Sequence, residues 1–147
     1  MSTTNNDAAL EVKRCEWQEC RDTLTTIREA VFIKEQGVPQ AIEWDGRDGE
    51  CQHWLATVNE QAVGCGRLMP DGKIGRMAVL KDYRGRGIGN ALLQALIDAA
   101  REMGLKRVYV HAQQHAAPFY RRVGFEPQGA TFEEAGIPHT TMHLVLD

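Results

Sequence analysis

Leu10 to Trp17 places apolar residues in loose alternation and predicts a first strand. Cys20, Leu24, Ile27 and Val31 then recur at spacings of four, three and four, which is one face of a helix. That helix is predicted to end near Gly37, because Pro39 cannot continue it and Val38 before proline favours extended shapes. Gln40 to Cys51 is acidic, carries two glycines and predicts a loop. His53–Val58 and Ala62–Met69 read as strands joined by a turn at Asn59-Glu60-Gln61. Pro70-Asp71-Gly72 is a second turn, and Lys73–Leu80 the next strand, so the three strands predict an antiparallel meander.

Beyond Leu80 the period changes. Ile88, Leu92, Leu96 and Ala100, with Leu93 and Ile97 alongside, mark a helix face over Ile88–Met103, and Gly104 suits its C-terminal cap. Arg107–Ala112 predicts a strand that closes a βαβ unit and so runs parallel to Lys73–Leu80. Ala116–Val123 predicts a short helix closed by Gly124, and Thr140–Leu146 alternates as a final strand. The expected class is α+β with a mixed, mostly antiparallel sheet.

Length adds that 147 residues suit one domain, here residues 10–147 behind a polar, flexible tail over residues 1–9. Charge adds that a net −3 argues against general nucleic-acid binding, which needs a basic surface. No apolar run approaches the ~18–20 residues that cross a membrane, and no apolar signal core opens the chain. Cys15, Cys20, Cys51 and Cys65 form no C-x-x-C pair and are read as reduced, mostly buried thiols of a cytoplasmic protein.

The candidate chemistry lies at Arg84-Gly85-Arg86-Gly87-Ile88-Gly89, between a strand and a helix. Uncovered N–H groups and the positive end of a helix dipole there suit a phosphate. A Walker A loop would follow Gly89 with Lys and Ser/Thr, but Asn90-Ala91 follows. A dinucleotide loop would place glycine where Asn90 stands and an acid ~20 residues on, where none occurs.

Arg84-x-x-Gly87-x-Gly89 after Met77-Ala78-Val79 resembles motif A of the GNAT acetyltransferases. Ala116-Ala117-Pro118-Phe119-Tyr120-Arg121-Arg122-Val123-Gly124-Phe125 resembles their motif B. Val31–Pro39 and Ala135–His139 are similar to the ElaA/YjcF branch of that superfamily. The resemblance implies a GNAT-like twisted sheet with a central βαβ unit and flanking helices.

It also implies an acetyl-CoA-dependent N-acetyltransferase acting by direct attack in a ternary complex. Pantetheine would lie along Met77, Ala78 and Val79, with a backbone N–H, that of Val79, polarising the thioester carbonyl. Arg84, Gly85, Arg86, Gly87, Ile88, Gly89 and Asn90 would hold the pyrophosphate. The two arginine side chains either join in or sit on a solvated surface. Gln113 stands where the family often has an asparagine on pantetheine, and Ala116 and Phe119 complete the cofactor wall. Tyr120 is the implied general acid, since a phenol can protonate a departing thiolate. The bland alternative packs it between Phe119 and Phe125. Phe32, Glu35, Gln36 and His139 lie in the stretches that border the acceptor.

The base is not legible: Glu35, Glu43, Asp45, His53, His111, His139 and His143 all compete, with Glu35 leading because it precedes Gln36 at the acceptor wall. Glu35, Glu43, Asp45, Asp48, Glu50, Glu133 and Glu134 cluster in two regions and suggest a cationic small amine as acceptor, against the reading of a solvated acidic surface. His139 and His143 stand too far apart along a strand to share a metal, and no metal is expected. A non-catalytic coenzyme A-binding sensor is the alternative function. Homodimerisation, common in the superfamily, is left open.

Overall fold

In the computed structural model, which describes residues 9–146, the first half of the chain forms an antiparallel sheet in sequence order. Its strands are β1 (Leu10–Cys15), β2 (Gln52–Val58), β3 (Gln61–Leu68) and β4 (Ile74–Val79). All of the expected N-terminal tail except Ala9 lies outside the described residues. Asn59 and Glu60 turn β2 into β3 with φ values of 51° and 69°, the left-handed pair of a two-residue hairpin turn. Gln61, predicted in the turn, is instead the first residue of β3 and pairs with Val58.

Helix α1 (Trp17–Arg28) covers one face of this sheet. Leu24, Ile27 and Val31 pack there with Leu55, Cys65 and Ala78. Past Arg28 the helix widens into a π-helical segment, Glu29–Glu35, and ends where Gly37 adopts a φ of 74°. Such widened turns shift which side chains share a face. Val31 stays in the core while Phe32 and Gln36 reach the space between the two sheets.

Helix α2 (Ile88–Glu102) covers the opposite face, burying Ile88, Leu92, Leu93, Leu96 and Ile97. Each fully buried Leu or Ile stabilises the fold by roughly 1.5–3 kcal/mol. The approach to β3 is close: a Cβ on Gly66 would stand 2.7 Å from Leu96 Cδ1. Glycine at that position lets the helix lie against the sheet.

The second half builds a further antiparallel sheet from β5 (Arg107–Gln113), β6 (Glu126–Pro127), β7 (Phe132–Glu134) and β8 (Ile137–Val145), with α3 (Ala117–Val123) between β5 and β6. β8 starts at Ile137 rather than the predicted Thr140. The short β7, which has too few residues to show a period, pairs with its first residues through an Ala135-Gly136 turn. β4 and β5 run in the same direction, as a βαβ unit requires, but only the single bridge from Lys73 to Tyr109 joins them. The mixed sheet is therefore two antiparallel sheets joined at one parallel contact.

One expectation about cysteine is corrected. Cys15 and Cys20 are paired as a disulfide across the turn from β1 into α1, their Cα atoms 6.2 Å apart. The turn folds Cys20 back over the end of β1, within disulfide reach. Cys51 and Cys65 are thiols.

Candidate active site

β4 carries one residue more than β3 between the pairs Cys65–Ala78 and Arg67–Gly75. The surplus sits at Arg76–Met77, where Arg76 has a φ of 50°. A bulge bends its strand, and here β4 diverges from β5. The gap is a cleft of about 1180 Å³. Met77, Ala78, Val79, Arg84, Gly85, Gly87, Ile88, Gly89 and Asn90 line one side, and Gln113, Ala116, Phe119 and Tyr120 the other. Arg86, also expected at the cofactor, is not among the lining residues. Its guanidinium stacks 5.1 Å from the Tyr83 ring and donates to the Asp82 carbonyl at 3.3 Å.

Helix α2 starts at Gly87 with no side chain capping it, so its first-turn N–H groups are left without intrahelical partners. Gly85 and Gly87 hold φ values of 79° and 81°, and a Cβ on either would meet nothing within 4 Å. The glycines are needed for backbone angle, not for space. Open N–H groups at the positive end of a fifteen-residue helix, facing a long cleft, fit an anion such as the pyrophosphate of coenzyme A.

Glu35 is drawn toward this loop. Arg84 Nη1 and Nη2 each donate to its carboxylate at 2.7 Å, and Arg84 Nε donates to the Val79 carbonyl at 2.9 Å. The bonds from Arg84 hold the Glu35 carboxyl below its ordinary value. A carboxylate clamped in this way is a weaker proton acceptor than a free one, since both of its oxygens are engaged by Arg84. Glu35 also lines only the large cleft, whereas Phe32, Gln36 and His139 line a second cavity.

That second cavity, about 210 Å³, lies on the other side of Met77 and Tyr120, which line both spaces. Tyr120 packs edge-on against Phe119 and Phe125 at 5.1 and 5.5 Å, and its hydroxyl points to Met77 Sδ at 3.9 Å. Burial pushes its phenol up to about 12. Packing and exposure to both cavities thus coexist in one side chain. Gln113 Nε2 donates to Gln36 Oε1 at 2.9 Å, tying β5 to the π-helical segment across the opening.

The acidic stretch is not a solvated loop. Gln40–Glu43 is a helical turn and Asp48–Glu50 a 3-10 turn. Glu43 and Asp48 are buried against arginines far away in sequence. Arg28, 1% exposed, donates to Glu43 Oε2 and to Asp48 Oδ1, both at 2.8 Å. Arg67 donates to Asp48 at 3.0 Å and to Asp45 at 2.9 Å, and Arg76 pairs with Glu43 and Asp45 at 3.2 Å. Burial raises the Glu43 carboxyl. Burial also acts to raise Asp48, but the bonds and charges of Arg28 and Arg67 outweigh it and hold that carboxyl down. Glu50 pairs with Arg47, and Glu134 with His111. Arginines thus pair with Glu35, Glu43, Asp45, Asp48 and Glu50 of the acidic residues.

The remaining base candidates separate by position. His53 is buried, stacked on Trp17, and lines neither cavity. His143 bonds to Gln128 outside both. His139 is buried in the smaller cavity, its Nδ1 bonded to the Ile137 carbonyl at 2.7 Å. His111 lines the same cavity, its Nδ1 3.0 Å from Glu134 Oε1. Sequence reading had both members of that pair but no reason to join them, because the β7–β8 hairpin that carries Glu134 to β5 has no signature longer than three residues. Lys73, from the residue before β4, lines this cavity as well.

Comparisons with known proteins agree with this geometry. A family model described as an acetyltransferase (GNAT) domain matches residues 13–146. The uncharacterized N-acetyltransferase YjcF of Bacillus subtilis is 40% identical over 120 residues, covering 79% of this chain and 86% of that protein. The protein ElaA of Escherichia coli is 32% identical over 144 residues, 86% of this chain and 94% of its own. The ElaA crystal structure superposes with a TM-score of 0.81 over 90% of this chain and 98% of its own, at 30% identity. An acyl-CoA N-acyltransferase of Pseudomonas aeruginosa superposes with a TM-score of 0.80 over 91% and 98%, at 28% identity.

Proposed function

The chain belongs to the GNAT acetyltransferase family, and from that premise we propose that it moves the acetyl group of acetyl-CoA onto the primary amine of a small acceptor, in one ternary complex. The observation that carries this reading is the meeting of two cavities at Met77 and Tyr120. A long cleft with an anion-binding helix start opens on one side and a small polar cavity on the other, so donor and acceptor can be present together.

Bound acetyl-CoA supplies an activated acetyl thioester. The N–H groups of residues 85–90 take the pyrophosphate. The exposed edge of β4 at Met77, Ala78 and Val79 pairs with the pantetheine as an added strand would. The Val79 N–H faces the thioester carbonyl and stabilises the charge that grows on its oxygen. Tyr120 gives its proton to the departing sulfur. Its raised pKa keeps the hydroxyl protonated, and therefore able to donate, at neutral pH. The 210 Å³ cavity favours an acceptor of small size. On this reading residues 10–147 work as one domain.

The test is release of free thiol from acetyl-CoA in the presence of a panel of small primary amines, followed with a thiol reagent. Amine-dependent release is the expected result. Tight binding of acetyl-CoA with no amine-dependent release would favour a sensor, and absence of binding would overturn the reading altogether.

A further inference from the structure

Resting on the acetyl-transfer reading, we propose that His111 is the general base that deprotonates the acceptor ammonium, and that Glu134 is the positioning residue that orients it. The ring lies on β5, at the wall of the small cavity that Tyr120 closes from the other side. Its Nδ1 is engaged with Glu134 Oε1 at 3.0 Å. Burial acts to raise the Glu134 carboxyl, but the bond to His111 and the charge of Lys73 outweigh it and hold the group down, in its ionised form. An ionised carboxylate accepts and does not donate, so the shared proton sits on Nδ1. The neutral ring then carries its lone pair on Nε2. A base held in one tautomer by a carboxylate is the arrangement that proton abstraction requires.

Other groups around the ring fit this role. Glu134 faces it from β7, Lys73 and Arg76 line the same cavity from β4 and its approach, His139 does so from β8, Tyr120 from α3, Glu43 from the helical turn Gln40–Glu43 and His115 from the turn after β5. Tyr109 stands beside it on its own strand, 6.1 Å between ring centres. Phe132 packs edge-on against the imidazole at 5.1 Å and limits its rotation. His139 is the nearest rival, but its Nδ1 faces a neutral backbone carbonyl. His111 has the Glu134 carboxylate at hydrogen-bond distance, where it stabilises the imidazolium that forms when a proton is taken.

The step balances. The ammonium N–H bond breaks, its proton passes to His111 Nε2, and the electron pair stays on nitrogen. That pair forms the new C–N bond as the C–S bond breaks, and sulfur takes the Tyr120 hydroxyl proton. The second proton of the former amine returns Tyr120 to its neutral form. His111 releases its own proton to solvent.

The experiment compares wild type, His111→Gln and Glu134→Gln with two probe acceptors. Ethylamine is an ammonium ion at neutral pH, and hydroxylamine is already a free base. His111→Gln is expected to lower kcat/KM for ethylamine about a hundredfold and to remove the acidic limb of its pH profile. The loss with hydroxylamine should be much smaller, since that probe reaches the site with its electron pair already free and needs no deprotonation before attack. Glu134→Gln should lower kcat/KM for ethylamine more than for hydroxylamine, because the ring loses the carboxylate that orients it. An unchanged ethylamine profile in His111→Gln, or an acidic limb that disappears in His139→Gln instead, overturns the proposal. If wild type releases no thiol with these probes or with any amine of the panel, the acetyl-transfer reading fails, and the pair is judged by nitrogen NMR of the resting protein. A His111 ring protonated on Nδ1 in wild type, and redistributed in Glu134→Gln, supports it; a ring protonated on Nε2 overturns it.

Discussion

Arg84 grips Glu35 with two parallel hydrogen bonds of 2.7 Å while its Nε holds the Val79 carbonyl at 2.9 Å. One side chain therefore links the π-helical segment, the end of β4 and the start of the glycine run. Both partners are about two-fifths exposed, 40% and 38%, so the pair itself adds little to stability. Its effect falls on the shape of the loop. Glu35→Gln is expected to raise KM for acetyl-CoA severalfold, with kcat and the urea midpoint nearly unchanged. A fall in kcat with KM unaltered would return Glu35 to the role of base.

Tyr120→Phe is expected to lower kcat by tenfold or more. The hydroxyl contributes little to the fold, since its recorded contact is Met77 Sδ at 3.9 Å, so thermal stability should hardly move. The pH dependence follows from the raised phenol. A group that stays protonated until about 12 loses no donor below that value. Wild-type kcat should therefore show no alkaline fall near pH ~10, where a free tyrosine ionises. A limb there that Tyr120→Phe abolishes would contradict this account.

Gly87→Ala separates backbone angle from space. The new methyl meets no atom within 4 Å, but the residue must keep a φ of 81°. An L-residue pays about 1–2 kcal/mol for that conformation. The helix start is expected to shift instead, weakening acetyl-CoA binding by about tenfold or more as read by titration calorimetry. The amine concentration dependence should be unaffected.

Asp48 ties Arg28 and Arg67 together. Asp48→Ala leaves two buried guanidinium groups short of a partner and should cost about 3–5 kcal/mol in urea unfolding. The sign of the pH effect is set by a carboxyl held below its ordinary value in the folded protein. Its stabilisation is complete above the unfolded value near ~3.9 and is lost as pH falls through the lower folded one. Glu43, raised by burial, contributes in the opposite sense and offsets part of this. Asp48→Asn should show a shallower acid loss than wild type across that window. An equally steep loss would exclude Asp48 as its source.

Helix α2 and the strands β2, β3 and β4 were legible in the chain because each shows its apolar period over several residues, as in Ile88-Leu92-Leu96 and His53–Val58. The phosphate loop was legible for a different reason: glycines with positive φ have few substitutes, so Gly85 and Gly87 announce themselves. The π-helical segment was not legible, since Val31, Phe32 and Glu35 would read as an ordinary helix end. Nor was the fate of the acidic stretch. Glu43, Asp45 and Asp48 look like surface charge until Arg28, Arg67 and Arg76 arrive from other elements to pair with them, and Glu43 and Asp48 are buried in the process.

What the sequence determined by itself is the longer strands and helices and the glycine run before α2: local period, turn chemistry and a glycine run are all written within a few neighbouring residues. Tertiary structure alone decided how the second cavity is walled. The bulge falls at Arg76–Met77, the β7–β8 hairpin carries Glu134 to His111, and Arg84 clamps Glu35. These relations join residues separated by 23 to 49 positions. No local pattern encodes contacts at that range, because they exist only once the sheets have packed and set the distance between side chains.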